Sequence, residues 1–220
     1  MKNSKKAGFY PVLINLQRFR CIVVGGGKIA HRKVLSLLNF GAEITVISPK
    51  ITKPILELAK LHSIRIINKS YSEEYIKGYQ IAFSATDNRA INLSVRKDCT
   101  KNGILLNVVD DPALCDFILP ANVIRGDLTI SISSQGNAPF FTKRMKNKIE
   151  ELIPPVYEDI FRMAGRLRKQ ISLDQEIDKK TRAKLLKQFA SQNWEEILPA
   201  NGSKTSKNHL KKILNEFKLK

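Results

Sequence analysis

The stretch Arg20-Cys-Ile-Val-Val-Gly25-Gly-Gly27-Lys-Ile-Ala30 decides how the rest of the chain is read. Cys21 to Val24 are apolar without a break and rich in β-branched side chains, the pattern of a strand buried on both faces. Three glycines follow at once. From Ile29 the apolar residues Ile29, Val34, Leu37, Leu38 and Phe40 gather on one side, which predicts a helix over 29–40 stopped by Gly41. Strand, turn and helix together fit the form G-x-G-x-x-G/A, with Ala30 in the last place. In that form Gly25 permits the tight turn and Gly26 continues it. Gly27 lets a pyrophosphate approach the backbone, and the small Ala30 lets the helix press on the sheet. The free N–H groups of the helix start, around Lys28 and Ile29, then face the phosphate charge. Such a turn also arises for purely structural reasons, so its weight comes from its surroundings.

Outward from it the alternation continues. Residues 43–47, 64–67, 80–84 and 104–109 read as further strands, with helices over 54–62 and 88–101, the second capped by Asp87 or Asn88. Strands and helices alternating at this spacing imply right-handed crossovers and an α/β fold, a Rossmann-like parallel sheet covered on both faces. After Pro112 the pattern changes. Residues 117–124 and 128–133 read as antiparallel strands joined by Arg125-Gly126-Asp127, and a helix is predicted over 138–152. Beyond Pro154-Pro155 only helices are expected, over 156–171, 174–190 and 209–217, with 201–208 as a flexible connection. The expected division is therefore 1–112, 113–152 and 153–220.

Composition excludes several classes. The chain has 220 residues, 43% hydrophobic and 26% charged, enough apolar content for a core and unlike a disordered or collagenous polymer. No apolar run approaches the ~20 residues of a membrane helix. Lys2, Lys5 and Lys6 are not followed by the apolar segment of a secretory leader, so a cytoplasmic location is expected. Cys21, Cys99 and Cys115 are odd in number and lack CxxC spacing, so reduced, buried thiols are expected. His31, His62 and His209 show no ligand spacing, and no resident metal is expected. The net charge of +18 is spread along the chain: 23 Lys/Arg against 11 Asp/Glu over residues 1–150, and 15 against 9 over 151–220. Such a field attracts polyanions, whether nucleic acid, an anionic cofactor or a polycarboxylate substrate, or it is a solvated basic surface. A nucleic-acid binder needs a clustered basic face with stacking aromatics; here the 7% aromatics are scattered, so neither nucleic acid nor membrane is an expected partner.

The strand ends carry the candidate chemistry. Where an acid usually grips the adenosine ribose stands Ser48-Pro49-Lys50, and Glu43 lies at the wrong end of its strand to substitute. Ser48 suits a ribose hydroxyl and Lys50 a 2′-phosphate, which leaves NAD and NADP both open. Ser84 and Thr86 are expected to line the crevice at the end of the fourth strand. At the fifth, Val109 and Asp110 reach the same edge. A carboxylate there can orient an N–H-bearing substrate or accept a proton, whereas Asp111 reads as a turn carboxylate.

Six ordered segments carry a resemblance to a known family. They are Phe9-Tyr-Pro-Val-Leu-Ile-Asn-Leu16, Val23-Val-Gly-Gly-Gly-Lys-Ile-Ala-His-Arg-Lys33, Ser84-Ala-Thr-Asp-Asn88, Asn107-Val-Val-Asp-Asp-Pro112, Phe117-Ile-Leu-Pro120 and Ser133-Ser-Gln-Gly-Asn-Ala-Pro139. Over about residues 9–170 the chain resembles the precorrin-2 dehydrogenase family, which also forms the N-terminal module of multifunctional sirohaem synthases. The resemblance implies NAD-dependent oxidation of precorrin-2, an anionic tetrapyrrole, to sirohydrochlorin, with Fe²⁺ insertion as a second activity in some relatives. It implies Asp110 as the carboxylate of the chemistry, and NAD as cofactor because the family pattern also lacks the ribose-side acid. It further implies a homodimer formed through 113–152, followed by a helical domain; past Arg168 the resemblance fades, and the basic tail that ends 153–220 is read from the residues alone. Substrate contacts would come from Asn107, Ser134, Asn137 and Arg125, with Lys143, Arg144, Arg162, Arg166 and Arg168 as further cations. Gln135 and Asp111 depart from the family pattern at the substrate mouth. Two rival readings are a non-catalytic tetrapyrrole carrier or redox-sensing regulator on the same fold, and a nucleic-acid-binding protein.

Overall fold

Five parallel strands lie in the order β3-β2-β1-β4-β5: β1 is Arg20–Val24, β2 Glu43–Ile47, β3 Arg65–Ile67, β4 Ile81–Ser84 and β5 Leu105–Val108. Successive residues of the strands feed opposite cores, which is why the strands read as mostly apolar runs without a polar face. Cys21, Val23, Ile44, Val46, Ile81 and Phe83 pack with Ala30, Val34 and Leu37 of helix α1, Lys28–Leu38, and with Ile55 of α2, Lys53–Leu61. Ile22, Val24, Ile47, Ala82, Leu106 and Val108 pack with Val95 and Cys99 of α3, Arg89–Asn102, on the other face. The α/β sheet expected from the sequence is therefore present. Asn88, not Asp87, caps α3, its side chain accepting the Ala90 and Ile91 N–H groups, and Gly103 ends the helix at φ +66°. Because β1 sits beside both β2 and β4, the chain reverses its direction of travel across the sheet between them. Their carboxyl ends open the crevice where such folds bind ligands.

This computed structural model describes residues 8–198, which divide after Leu119 into two units. The second unit begins with a hairpin, β6 Ala121–Arg125 and β7 Leu128–Ile132. The first strand is shorter than expected because Phe117 packs edge-on to Phe83 at 5.6 Å instead of extending the hairpin, and Pro120 withholds a ladder donor. Helices α4, Pro139–Leu152, and α5, Tyr157–Leu173, match their patterns closely. Helix α6 starts at Lys179 rather than 174, since Asp178 is the better cap: its carboxylate accepts the Lys180 and Thr181 N–H groups. A short helix α7, Trp194–Ile197, was not expected. Trp194 seats it, its ring tilted against Phe189 at 4.3 Å between centroids and its indole N–H donating to the Phe189 carbonyl at 2.8 Å. Ile160, Met163, Leu167 and Ile171 of α5 join Leu185 and Phe189 of α6 in this core. The helix expected over 209–217 and the connection over 201–208 lie outside the described residues. No described helix is long and apolar enough to cross a membrane.

Candidate functional site

The three glycines have different reasons to be glycine. Gly25 has φ +125°, and a Cβ there would lie 2.4 Å from the Ala85 carbonyl oxygen beyond β4. A Cβ on Gly26 would lie 2.0 Å from the Lys50 oxygen beyond β2. Both are demanded by the loop being pressed between two strand exits, where Gly25 N–H bonds Ile47 O and Thr52 N–H bonds Gly26 O, each at 2.9 Å. Gly27 is not: its φ is −88°, and nothing lies within 4 Å of an added Cβ. It caps α1 without a side-chain hydrogen bond, no acid stands in the first turn, and Lys28 is exposed beside it. The helix N–H groups thus face open space guarded by a residue whose smallness the protein itself does not require, which fits a pyrophosphate. Ala30, fully buried, and the half-buried Ile29 anchor the helix behind it. Gly27→Ala is expected to change the melting temperature by no more than ~2 °C while weakening dinucleotide binding about tenfold or more, as calorimetry and titration would show.

Side chains around the loop divide into braces and free groups. Ser48 is a brace: its hydroxyl donates to Lys50 O at 2.8 Å and accepts the Lys50 N–H at 3.4 Å. With its amide nitrogen turned inward, Asn68 donates to the carbonyls of Ser48 and Pro49 at 3.1 and 3.0 Å. Ser84 does not line the crevice as expected. It is fully buried, and its hydroxyl donates to Asn92 Oδ1 at 2.7 Å, because the last residue of β4 points into the α3 interface. Thr86 accepts the Asn88 N–H at 3.2 Å and so shapes the entry of α3.

At the end of β5, Val109 makes the last sheet bond, its N–H donating to Ser84 O at 2.9 Å. Asp110 follows at φ +62°, exposed, with no hydrogen bond or close ion pair to any described residue. A left-handed aspartate is tolerated but strained. What holds it is the neck of the loop it sits on. Asp116 N–H bonds Leu106 O at 2.8 Å, and Leu106 N–H returns to the Asp116 carboxylate at 3.0 Å, itself paired with Arg96 at 2.6 Å. The Cys115 thiol accepts the Val108 N–H at 3.1 Å and lies 3.2 and 3.3 Å from the Val108 and Asp111 carbonyls. Asn107, expected to touch substrate, is buried instead and donates to Phe117 O at 3.0 Å, since its strand position points it inward. Cys115 is half-buried rather than buried, and all three thiols are free. Burial pushes Cys21 up to about 11 and Cys99 up to about 12, and raises Cys115 as well, so none is poised as a nucleophile at neutral pH.

Sequence reading did not single out Lys33. It follows Ala30 by three residues on the sheet-facing side of α1 and is half-buried. Burial and Arg32 lower its pKa, while Asp110 and Cys115 pull the other way. Its charge therefore shares a field with the Asp110 carboxylate. The only sequence signal was its place on the buried stripe, masked by the many other lysines. Folding disfavours the ammonium form, so stability is depressed throughout neutral pH and recovers as pH rises from the lowered folded value to the unfolded 10.5. Lys33→Met is expected to raise the neutral-pH melting temperature and to flatten this alkaline gain, measured by melting curves of both proteins across pH.

In the second unit, Arg125 is committed. Its guanidinium donates to Ile153 O at 2.8 Å, Glu150 O at 3.3 Å and Ile124 O at 3.0 Å, capping the carboxyl end of α4 where orphan carbonyls attract a cation. These bonds engage the group that was expected to meet substrate. Arg162 is likewise paired, with Glu158 at 2.9 Å and Asp159 at 2.8 Å. Ser134 accepts the Ala138 N–H at 2.9 Å and the Thr142 hydroxyl at 3.1 Å. Asn137 is exposed on the same loop, which carries two left-handed residues, Gln135 and Gly136. Lys143, Arg144, Arg166 and Arg168 are exposed. Among the described residues no group of three or more His, Cys, Asp or Glu side chains converges as a metal site would.

Comparison with known proteins agrees with this architecture. A family model described as NAD(P)-binding matches residues 12–121, and one described as the central part of a sirohaem biosynthesis protein matches residues 125–152. Siroheme synthase of Nitrosococcus oceani is 37% identical over 163 residues, 74% of this chain and 35% of that protein. Siroheme synthase of Methylococcus capsulatus is 36% identical over 163 residues, again 74% of this chain and 34% of that protein. The chain thus spans about a third of the length of these relatives. The solved structure of SirC, precorrin-2 dehydrogenase, superposes with a TM-score of 0.79 at 26% identity, covering 94% of this chain and all of that one. An NAD(P)-binding sheet followed by the sirohaem-biosynthesis hairpin and helix, in this order and with these identities, means that the chain belongs to the family of precorrin-2 dehydrogenase and the sirohaem synthase N-terminal module.

Proposed function

We propose that this chain is an NAD-dependent precorrin-2 dehydrogenase that forms sirohydrochlorin. The observation that carries the reading is the unpaired, left-handed Asp110 carboxylate at the same sheet edge as the open Gly27 helix start. The likeness to SirC over that protein's whole length supports it. Gly25, Gly26 and Gly27 would hold the pyrophosphate with the N–H groups of Lys28 and Ile29, backed by Ala30; Ser48, Pro49 and Lys50 would border the adenosine side, and Thr86 and Val109 the other. When bound, the dinucleotide supplies a two-electron hydride acceptor. The oxidation also releases a proton, and Asp110 accepts it or orients a pyrrole N–H toward its carboxylate. The half-buried Lys33 places a positive charge in the field of that carboxylate.

The basic surface draws in the polycarboxylate substrate. Ser134, Asn137, Lys143, Arg144, Arg166 and Arg168 are the second unit's candidates for its acidic groups. We assign residues 1–112 to the nucleotide, 113–152 to a homodimer contact and 153–220 to a helical domain. The dimer reading is supported by α4, which buries none of its residues and leaves Phe140, Phe141 and Leu152 exposed by 77, 52 and 71%. A cytoplasmic location belongs to the same proposal.

An anaerobic spectral assay of precorrin-2 with NAD⁺, then with added Fe²⁺, tests it. NADH formed in step with sirohydrochlorin is expected. Tetrapyrrole binding without NADH would replace the dehydrogenase with a carrier, and a spectral change on adding Fe²⁺ would reveal iron as a second substrate.

A further inference from the structure

Lys50 stands just beyond the end of β2, beside the glycine loop, without an acidic neighbour in sequence. From Ile44 to Leu56, and again from Ile66 to Ser72, the chain contains no Asp or Glu. Three lysines lie at this edge of β2 and β3, and two are engaged. Lys53 faces Glu57 at 3.8 Å, and Lys69 sits 5.9 Å from the centre of the Tyr75 ring. Lys50 has no ion pair or ring contact among the described residues, and its side chain is exposed. Its backbone, by contrast, is fixed. The Ser48 hydroxyl holds both the N–H and the carbonyl of Lys50, and that carbonyl packs so closely on Gly26 that no side chain fits between them. The Lys50 side chain therefore starts from a backbone fixed against the glycine loop.

Resting on the dinucleotide reading of that loop, we infer that Lys50 lets this chain accept a 2′-phosphorylated dinucleotide as well as NAD⁺. A sheet edge that excludes the 2′-phosphate does so with a carboxylate, which bonds the ribose hydroxyl and repels the extra charge. Here that carboxylate is missing, and Ser48, which might replace it, spends its hydroxyl on Lys50. A phosphate monoester brings about −1.5 to −2 charge at neutral pH, and a lysine on a flexible stem meets it as a compact point charge. The glycine loop and Asp110 are common to both dinucleotides, so acceptance of the second needs no change elsewhere.

Titration calorimetry on the full chain tests this apart from turnover. Adenosine 2′,5′-bisphosphate is compared with AMP, and NADP⁺ with NAD⁺, for the native protein, Lys50→Ala and Lys50→Glu. NADP⁺ is expected to bind within about threefold of NAD⁺ or tighter, and the bisphosphate about tenfold tighter than AMP. Lys50→Ala should shift the NADP⁺/NAD⁺ affinity ratio about tenfold toward NAD⁺ and Lys50→Glu further, with the native preference shrinking as salt rises from about 0.05 to about 0.5 M. NAD⁺ binding with NADP⁺ more than about tenfold weaker overturns the inference alone, as does a ratio unchanged in both variants. Failure of both dinucleotides to bind overturns it together with the reading on which it rests.

Discussion

Asp110→Asn is expected to lower kcat for precorrin-2 oxidation by about 10²–10⁴-fold, the usual worth of a positioned proton acceptor, with little change in KM for the dinucleotide. The amide keeps the shape of the carboxylate and cannot take the proton. A companion variant separates function from structure. Asp110→Gly removes the side chain from a left-handed position, φ +62°, so it is expected to stabilise the protein by about 0.5–1 kcal/mol while abolishing the same activity. A residue whose loss raises stability and removes turnover is held for its chemistry. If Asp110→Gly lost both, the loop would be serving the fold, and the proposed role would fall.

The second large effect is structural. Gly26→Ala places a Cβ 2.0 Å from the Lys50 oxygen and 3.0 Å from the Ile51 Cα, both backbone atoms that cannot swing aside. Overpacking of this kind costs about 1–3 kcal/mol or more, and the displaced loop would no longer present its N–H groups together. A fall in melting temperature of about 5–10 °C and loss of dinucleotide binding are expected, read by scanning calorimetry and titration. Gly27→Ala, one residue away, has open space around its Cβ and is expected to lose binding while keeping its stability. The pair thus distinguishes a glycine required by the chain from one required by its ligand.

Much of this was legible before any coordinates. Short, mostly apolar runs alternate with helical stripes, so Cys21–Val24 and its counterparts read as strands covered on both sides. The glycine turn followed from its place between the first strand and the first helix, and Asp110 from its place after the fifth. What was not legible shares a cause. Asp178 and Asp174 are equally plausible caps on paper, and the chosen start of α6 depends on which carboxylate reaches two N–H groups. Ser84, Asn107 and Arg125 are residue types that suit ligand contacts, yet their partners are Asn92, Phe117 and Ile153, between 8 and 28 residues away.

The periodicity of apolar side chains and the conformational needs of glycine act within a few residues, so the sequence by itself determined the parallel sheet, the order of its elements and the two strand ends to which the chemistry is proposed to belong. Which polar groups are free to meet a ligand was decided only by the tertiary structure. A buried hydrogen-bonding group must find a partner at whatever separation the fold supplies. That requirement withdrew Ser84, Asn107 and Arg125 into internal bonds and tied Cys115 into the neck of the loop. It left Asp110 unbonded at the surface, within the field of the half-buried Lys33.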